Sequence, residues 1–130
     1  MSTARLLTAE DLLRLPSPAV TPEGCACAAL KAPGWESVTG PLGEPLLHRL
    51  GTLRDPDEAE PTVVEFHLAG SRYQSTHAPI APHWFPYNRC EVWACARCGR
   101  GFLQYTEYGG YYVDHRLRVI DPALVMTGSA

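Results

Sequence analysis

Residues 90–100 read Cys90-Glu91-Val92-Trp93-Ala94-Cys95-Ala96-Arg97-Cys98-Gly99-Arg100, so three of the five cysteines in the chain lie within nine residues. Cys95 and Cys98 have the C-x2-C spacing that is usual in structural zinc sites, because the turn between them brings both sulfurs to the same side. Gly99 follows directly, and glycine allows the backbone the positive φ that such a turn requires. This stretch therefore predicts a zinc knuckle.

The residues on both sides of the knuckle alternate between apolar and polar with a period of two. This pattern predicts strands over 91–95, 101–108 and 111–120. Gly109-Gly110 predicts a two-residue hairpin turn between the last two strands. The expected register of the hairpin pairs four sets of residues, Tyr108 with Tyr111, Thr106 with Val113, Gln104 with His115 and Phe102 with Leu117.

The alternation also predicts which side chains of the hairpin are buried. Phe102, Val113, Leu117 and Val119 fall on one face, which is expected to be the core face. The other face carries charged residues and is expected to lie in solvent; its members include Asp114, Arg116 and Arg118.

Upstream of the knuckle the same period of two predicts strands over 62–68 and 72–77. Residues 8–15 predict a short helix that Thr8 caps and that ends before Pro16. Frequent prolines exclude a long helix from 16 to 45, and residues 45–51 fit either a helical turn or a short strand.

These elements predict one α+β domain over residues 1–130, with an antiparallel sheet of about four or five strands. The sheet with its cysteine knuckle is expected within 62–120. Residues 1–61 are expected to contribute the short helix and an irregular, proline-rich covering segment.

Composition favours a globular protein of the cytoplasm. Of the 130 residues, 45% are hydrophobic and 19% are charged, and no apolar run approaches the ~20 residues needed to cross a bilayer. The leucines near the N-terminus are interrupted by charges, which is unlike a secretory signal. Because cytoplasmic thiols stay reduced, five cysteines favour metal binding or redox chemistry over a disulfide framework.

Three segments of the C-terminal half resemble a family of small uncharacterised bacterial proteins with no known activity. They are Phe85-Pro86-Tyr87-Asn88-Arg89-Cys90, Cys95 to Arg100, and Phe102 to Tyr112. The resemblance covers about residues 60–124. It implies that Cys90, Cys95 and Cys98 belong to the family's shared motif and that His67 is the matching histidine, whereas Cys25 and Cys27 lie outside it.

A closed structural zinc site needs four ligands, so Cys95 and Cys98 require two more. If residues 91–94 are extended, Cys90 lies about 16 Å from Cys95, at ~3.3 Å per residue, and on the opposite face of the sheet. Either a bend returns Cys90 to the site, or Cys25 and Cys27 complete a four-thiolate site. The resemblance favours Cys90, Cys95, Cys98 and His67; the alternatives for the remaining positions are the Cys25/Cys27 pair, His77, His83 and His115.

The function expected from these residues is a non-enzymatic module in which structural zinc supports binding to a protein partner. Trp93, Arg97 and Arg100 are the candidate partner-binding residues, because Trp and Arg are enriched at interfaces. The sequence contains no G-x-S-x-G, H-E-x-x-H or phosphate-binding glycine loop. Two alternatives use the same cysteines: a redox or electron-transfer protein, as a thiol switch or a [2Fe–2S] carrier through Cys90, Cys95 and Cys98, and a zinc-ribbon nucleic-acid binder.

Overall fold

A computed structural model describes residues 5–18, 24–40, 42–66, 71–72, 75–108 and 110–127. Its one α-helix in these ranges is α1 (Ala9–Leu13). The strands are β1 (Glu36–Val38), β2 (Leu47–Thr52), β3 (Glu91–Cys95), β4 (Gly101–Tyr108) and β5 (Val113–Val119). Short 3-10 turns span Ala26–Ala29, Tyr87–Arg89 and Pro122–Leu124. None of the described helices is long and apolar enough to span a bilayer.

The five strands form one antiparallel sheet in the order β1-β5-β4-β3-β2. The predicted fold class, α+β with an antiparallel sheet of four or five strands, is confirmed. β3, β4 and β5 match the three strands predicted around and after the knuckle to within a few residues.

Two strands of the sheet come from the N-terminal half: β1 lies in the segment that was expected to be irregular, and β2 corresponds to the short strand that was one of the two alternatives for residues 45–51. β2 pairs with β3 at one edge and β1 pairs with β5 at the other, so the N-terminal half contributes both edges of the sheet. The described parts of 62–68 and 72–77 are not strands of this sheet; Glu65 forms an isolated bridge to Phe85. The prediction of strands in these segments was based only on the alternation of apolar and polar residues. Val63 and Val64 are largely exposed, so the alternation there does not mark a buried face.

The β4–β5 hairpin has a longer connection than the predicted two-residue turn. Tyr108 pairs with Val113, so residues 109–112 connect the strands, and Phe102 pairs with Val119 instead of Leu117. The register is displaced by two residues along β5. Because side chains alternate with a period of two, this displacement changes the partners but keeps the same residues together on each side of the hairpin. Val113, which was predicted to lie in the core, is exposed near the hairpin connection.

Both faces of the sheet are buried. The cysteine face, as we call the first, has a core cluster of Cys27, Ala32, Leu47, Cys95, Phe102, Leu117 and Val119. The aromatic face, on the other side, has a core cluster of Leu7, Leu12, Trp35, Leu53, Ile80, Tyr87, Cys90, Val92, Leu103, Tyr105 and Ile120. Residues 25–32 thus help to cover the cysteine face, whereas α1 and the segment before β3 help to cover the aromatic face.

Arg118 lies in the core of the aromatic face, which corrects the prediction that it points to solvent. It is 0% exposed. Its guanidinium donates hydrogen bonds to the carbonyl oxygens of Ala78 (2.7 Å) and Pro33 (3.3 Å) and to the hydroxyl of Tyr87. A buried arginine is stable only when its donors are satisfied, and here the loops that cover the sheet satisfy them.

The helix α1 forms where its sequence predicts it. Thr8 accepts a hydrogen bond from the backbone N–H of Asp11, and the Asp11 carboxylate accepts one from the N–H of Thr8 at 2.8 Å, which is a complete capping box. Leu12 is fully buried in the core of the aromatic face. The cap therefore fixes the end of a helix that packs through one leucine.

Candidate metal centre

Four cysteine sulfurs meet at one edge of the cysteine face. The Sγ atoms of Cys25, Cys27, Cys95 and Cys98 all lie within 4.8 Å of one another. The Cys27 sulfur is 3.5 Å from that of Cys25 and 3.4 Å from that of Cys98, and the sulfurs of Cys25 and Cys95 are 3.6 Å apart. We call this group the cysteine cluster.

Cys95 and Cys98 reach the cluster from the tight turn that links β3 to β4. The turn closes through a hydrogen bond from the Gly99 N–H to the Cys95 carbonyl, at 3.0 Å, and Gly99 has a φ of 83°. A residue with a side chain would be strained at this φ, so glycine is needed there. The N–H of Arg97 points to the Cys95 sulfur, at 3.4 Å. This is the geometry of the predicted knuckle.

Cys25 and Cys27 come from the 3-10 turn of residues 26–29, on the opposite side of the cluster. Cys25 precedes the turn, and its carbonyl accepts a hydrogen bond from the N–H of Ala28 at 2.9 Å. The guanidinium of Arg100 donates to the carbonyl oxygens of Cys27 and Leu30. Because Arg100 directly precedes β4, it ties this turn to the knuckle without using any sulfur.

The thiols of the cysteine cluster differ in pKa. Burial opposes ionisation of Cys95, but the backbone N–H groups of Cys98 and Arg97 together with the Cys27 and Cys25 thiols outweigh burial and lower the pKa of Cys95 to about 6. Burial, followed by the adjacent sulfurs, raises the pKa of Cys27, and burial is the first cause of the raised pKa of Cys98. Thiolates this close repel each other, so several of them can ionise together only with a cation between them.

The cluster fits a tetrahedral metal ion. Four sulfurs at about 2.3 Å from a zinc ion are about 3.8 Å apart from one another. Three of the sulfur–sulfur separations, 3.4, 3.5 and 3.6 Å, are near this value, and all of them lie within 4.8 Å; the three are far above the ~2.0 Å of a disulfide bond. Cys27 and Cys95 are buried and Cys25 and Cys98 are half-buried, so the protein already encloses much of the site.

Cys90 does not lie near Cys95 and Cys98, although the ligand set that the family resemblance favours contains all three. It is 0% exposed in the core of the aromatic face, where its thiol donates to the Pro86 carbonyl at 3.3 Å. The physical reason is the extended backbone of β3, which places side chains five residues apart on opposite faces.

The candidate histidines make no contribution to the cluster as far as the structure describes them. His67 lies outside the described residues. The group of potential ligands around Cys95 contains none of the described histidines. His77 and His83 are exposed, and His115 Nδ1 lies 3.0 Å from the hydroxyl of Thr106 on the adjacent strand.

The three candidate partner-binding residues have different environments. Arg97 is exposed on the knuckle, and Trp93 is half-buried, with its indole N–H donating to the Glu91 carboxylate at 3.2 Å. Arg100 is 6% exposed, and its guanidinium lies 4.8 Å from the centre of the Phe102 ring. Arg100 therefore serves the interior of the protein, and Arg97 is the arginine of this set that a partner can reach.

The sequence contained a signal for the complete ligand set. Cys25-x-Cys27 is a second closely spaced thiol pair, and the extended strand argued against Cys90. The sequence did not show which distant residues lie close together in the fold. Because prolines are frequent in this part of the chain, the strand and turns that bring residues 25–27 to the knuckle could not be predicted.

No protein-family model, no curated protein and no solved structure matches this chain. The resemblance of the C-terminal half to a bacterial family therefore stays a prediction, and functional conclusions depend on the site itself.

Proposed function

We propose that this protein is a non-enzymatic zinc-binding module, in which one zinc ion bound by Cys25, Cys27, Cys95 and Cys98 stabilises the fold. The observation that carries the proposal is the convergence of four sulfurs, from two turns 70 residues apart in sequence, to separations that match a tetrahedral thiolate site. With four protein ligands no coordination position is left for water or substrate, so the metal has a structural role.

The donor set favours zinc over the hard cations. Thiolates are soft ligands, and calcium and magnesium prefer oxygen. Backbone N–H groups directed at the Cys95 sulfur also stabilise the negative charge that a thiolate ligand carries.

Elemental analysis of the protein, purified without a metal-affinity tag, tests the proposal. We expect one zinc ion per chain. Cobalt(II) bound in its place should give the intense visible absorption of tetrahedral thiolate coordination. A protein that binds neither metal when its thiols are reduced would contradict the proposal.

Single cysteine-to-serine variants identify the ligands. Cys25→Ser, Cys27→Ser, Cys95→Ser and Cys98→Ser should each weaken zinc binding strongly, because serine is a poor zinc ligand. Cys90→Ser is the matched control: it removes a buried sulfur from the same chain and keeps a hydrogen-bond donor for Pro86, and it should bind zinc normally. Loss of zinc in Cys90→Ser would instead support the ligand set favoured by the family resemblance.

A redox function is the second candidate. The four sulfurs are close enough that oxidation by a disulfide such as oxidised glutathione could join two of them, with two electrons and two protons passing to the oxidant. Cys25 and Cys98 are half-buried, so a reagent can approach them. This candidate expects a reversible disulfide in the metal-free protein, whereas an iron-containing cluster would be coloured as isolated.

The module is proposed to bind a protein partner. Its net charge of −3 disfavours general nucleic-acid binding, and zinc supplies folding energy instead of chemistry. The aromatic and arginine side chains near the knuckle support this part of the proposal.

A further inference from the structure

The β4–β5 hairpin extends beyond the strands on either side of it. The pairing of β3 with β4 ends at Glu91 and Gln104, although β4 continues to Tyr108. On the other side, the pairing of β1 with β5 ends at Val38 and His115. In the part of the chain that the structure describes, no strand lies beside residues 105–108 on the β3 side.

The backbone groups that face this open edge can be assigned. The Gly101 carbonyl accepts a hydrogen bond from the Ile120 N–H, so the backbone groups of Gly101 face β5. In an antiparallel sheet these groups alternate between the two neighbours along the strand. The N–H and C=O of Thr106 and Tyr108 therefore face the side where β3 has ended. Such an edge can pair with another extended chain.

A cavity of about 330 Å³ lies at this open edge. Its walls come from the start of β3 and from the free ends of β4 and β5. They include Arg89, Glu91, Trp93, Thr106, Tyr108 and Arg116.

Arg89 supplies a cation without a counter-charge in this cavity. The Glu91 carboxylate is already paired with Arg49 at 2.7 Å, and Arg116 is paired with Asp114 at 2.8 Å. Among the described residues, no carboxylate pairs with Arg89; its Nη2 donates to the Pro61 carbonyl at 3.1 Å, and its guanidinium lies 5.5 Å from the centre of the Phe85 ring. Its buried Nε has no acceptor within the described chain. The cavity therefore favours an anionic group.

Large apolar side chains are exposed next to the same edge. Tyr108 is 78% exposed, and Tyr111, Tyr112 and Val113 are also exposed. Tyrosine and arginine together are typical of the residues that contribute most to binding at protein interfaces.

We propose that the open edge of β4 at Thr106 and Tyr108 binds an extended peptide segment of a partner protein by β-strand addition, and that an acidic side chain of this segment binds Arg89. The backbone of the segment continues the sheet where β3 ends, and its side chains contact the exposed tyrosines. This inference rests on the proposed protein-binding function and names its partner class; it does not depend on the metal.

The test begins with a displayed library of random eight-residue peptides, selected against the full chain. The selection is run on the full chain as purified, with its zinc content measured, and again after zinc is added. We expect the enriched peptides to have β-branched or aromatic residues in alternation and one acidic residue at a constant position. In a complex with such a peptide, the amide hydrogens of Thr106 and Tyr108 should exchange more slowly with solvent. Failure to enrich such peptides, or protection of other amides alone, would overturn the inference.

Two variants separate the backbone contact from the charge contact. Thr106→Pro removes an N–H that faces only the open edge, so it should abolish peptide binding and leave the β4–β5 pairing intact; Thr106→Val is its control with the N–H retained. Arg89→Gln should weaken the acidic peptide about tenfold and leave unchanged the peptide whose acidic residue is replaced by its amide. Equal binding to Thr106→Pro and to the unmodified chain would overturn the inference.

The zinc content and circular dichroism of each variant show whether it is folded. If zinc is bound and no peptide is enriched, this inference fails while the metal proposal stands. If peptides bind as expected and no zinc is found, the metal proposal fails and this inference stands.

Discussion

The two faces of the sheet place a cysteine in very different surroundings, although both belong to the same short stretch of sequence. On the cysteine face, Cys95 lies with three other sulfurs; burial opposes its ionisation, but backbone N–H groups and the adjacent thiols lower its pKa to about 6. On the aromatic face, burial raises the pKa of Cys90 well above its ordinary value and keeps the thiol protonated. Whether a cysteine is placed to bind metal therefore depends more on which side of the strand its side chain occupies than on how close it lies in sequence to the other cysteines.

Each face also buries one arginine. Arg100 holds the turn of Cys27 against the cysteine face, and Arg118 holds the loops around Ala78 and Pro33 against the aromatic face. The arginines have similar structural roles, but only Arg100 lies beside the cysteine cluster. We therefore expect different consequences when the residues of the two faces are changed.

The largest expected effect is that of removing the metal. A chelator should lower the free energy of unfolding by at least about 5 kcal/mol, since structural zinc binds small domains with ~10–16 kcal/mol. Amide exchange should accelerate first at Cys95 and Gly99, whose N–H groups bond within the knuckle, and less at Ile80 and Met126 on the other face. Equal acceleration at all four amides would contradict a difference between the faces.

Substitution of the buried arginines should separate stability from metal affinity. Arg118→Met should cost about 3 kcal/mol, because it leaves buried carbonyl groups without donors, and should not change zinc affinity. Arg100→Met should weaken zinc binding about tenfold, because the turn of Cys27 loses its support. Chemical denaturation and competition with a coloured chelator measure the two quantities. An equal loss of zinc affinity in both variants would show that the faces are not independent.

Alkaline pH should destabilise the protein through the aromatic face. Burial raises the pKa of Cys90 above 9.0 and the pKa of Tyr87 above 10.0. The positive charge of Arg118 opposes both shifts, and the negative charge of Glu91 adds to the shift of Cys90. The unfolded chain loses these protons first, so this contribution to stability is complete below pH 9 and is lost as pH rises further. The slope should reach about 1.4 kcal/mol per pH unit for each group.

The control for this pH dependence is a double variant, Cys90→Ser with Tyr87→Phe, measured with zinc bound. Unfolding releases the zinc, and the freed cysteines take up protons below about pH 9, so below that pH the metal centre makes stability rise with pH in both chains. Denaturant unfolding is therefore compared between about pH 9.5 and 11, where the profile should be flatter for the double variant. An unchanged slope would place the titrating groups elsewhere.

The smallest expected effect is that of the helix cap. Thr8→Ala should cost about 1 kcal/mol, because it leaves the N–H of Asp11 without its acceptor. Since α1 packs on the aromatic face through Leu12, zinc affinity should stay unchanged. Thermal unfolding and zinc competition on the same sample test this, and a change in zinc affinity would connect α1 to the metal centre.

Local signals in the sequence predicted the elements that are determined by their own residues. The Thr8 cap of α1, the C-x2-C knuckle with Gly99, and the strands of the hairpin all depend on neighbours close in sequence. The hairpin connection was predicted too short because adjacent glycines favour a two-residue turn, whereas the observed connection also includes Tyr111 and Tyr112.

The elements that the sequence left undecided or missed depend on distant partners. A strand at β2 was only one of two alternatives, and a register shift between Arg49 and Gly51 interrupts its pairing with β3. Arg118 belongs to an alternating charged row, and nothing nearby in sequence indicates the carbonyl groups of Pro33 and Ala78 that bury it. The sequence left the complete set of metal ligands undecided for the same reason, since Cys25 and Cys95 become neighbours only in the folded sheet.

The separation of the two thiol pairs along the chain has a consequence for biosynthesis. Cys25 and Cys27 leave the ribosome some 70 residues before Cys95 and Cys98. During translation the first pair therefore remains as a bidentate chelate or as free thiols, and the proposed ion can be enclosed only after Cys95 and Cys98 have emerged. If the cluster binds zinc as proposed, closure of the site must follow synthesis of the knuckle, and zinc shortage would act on chains that have already been made as far as Cys98.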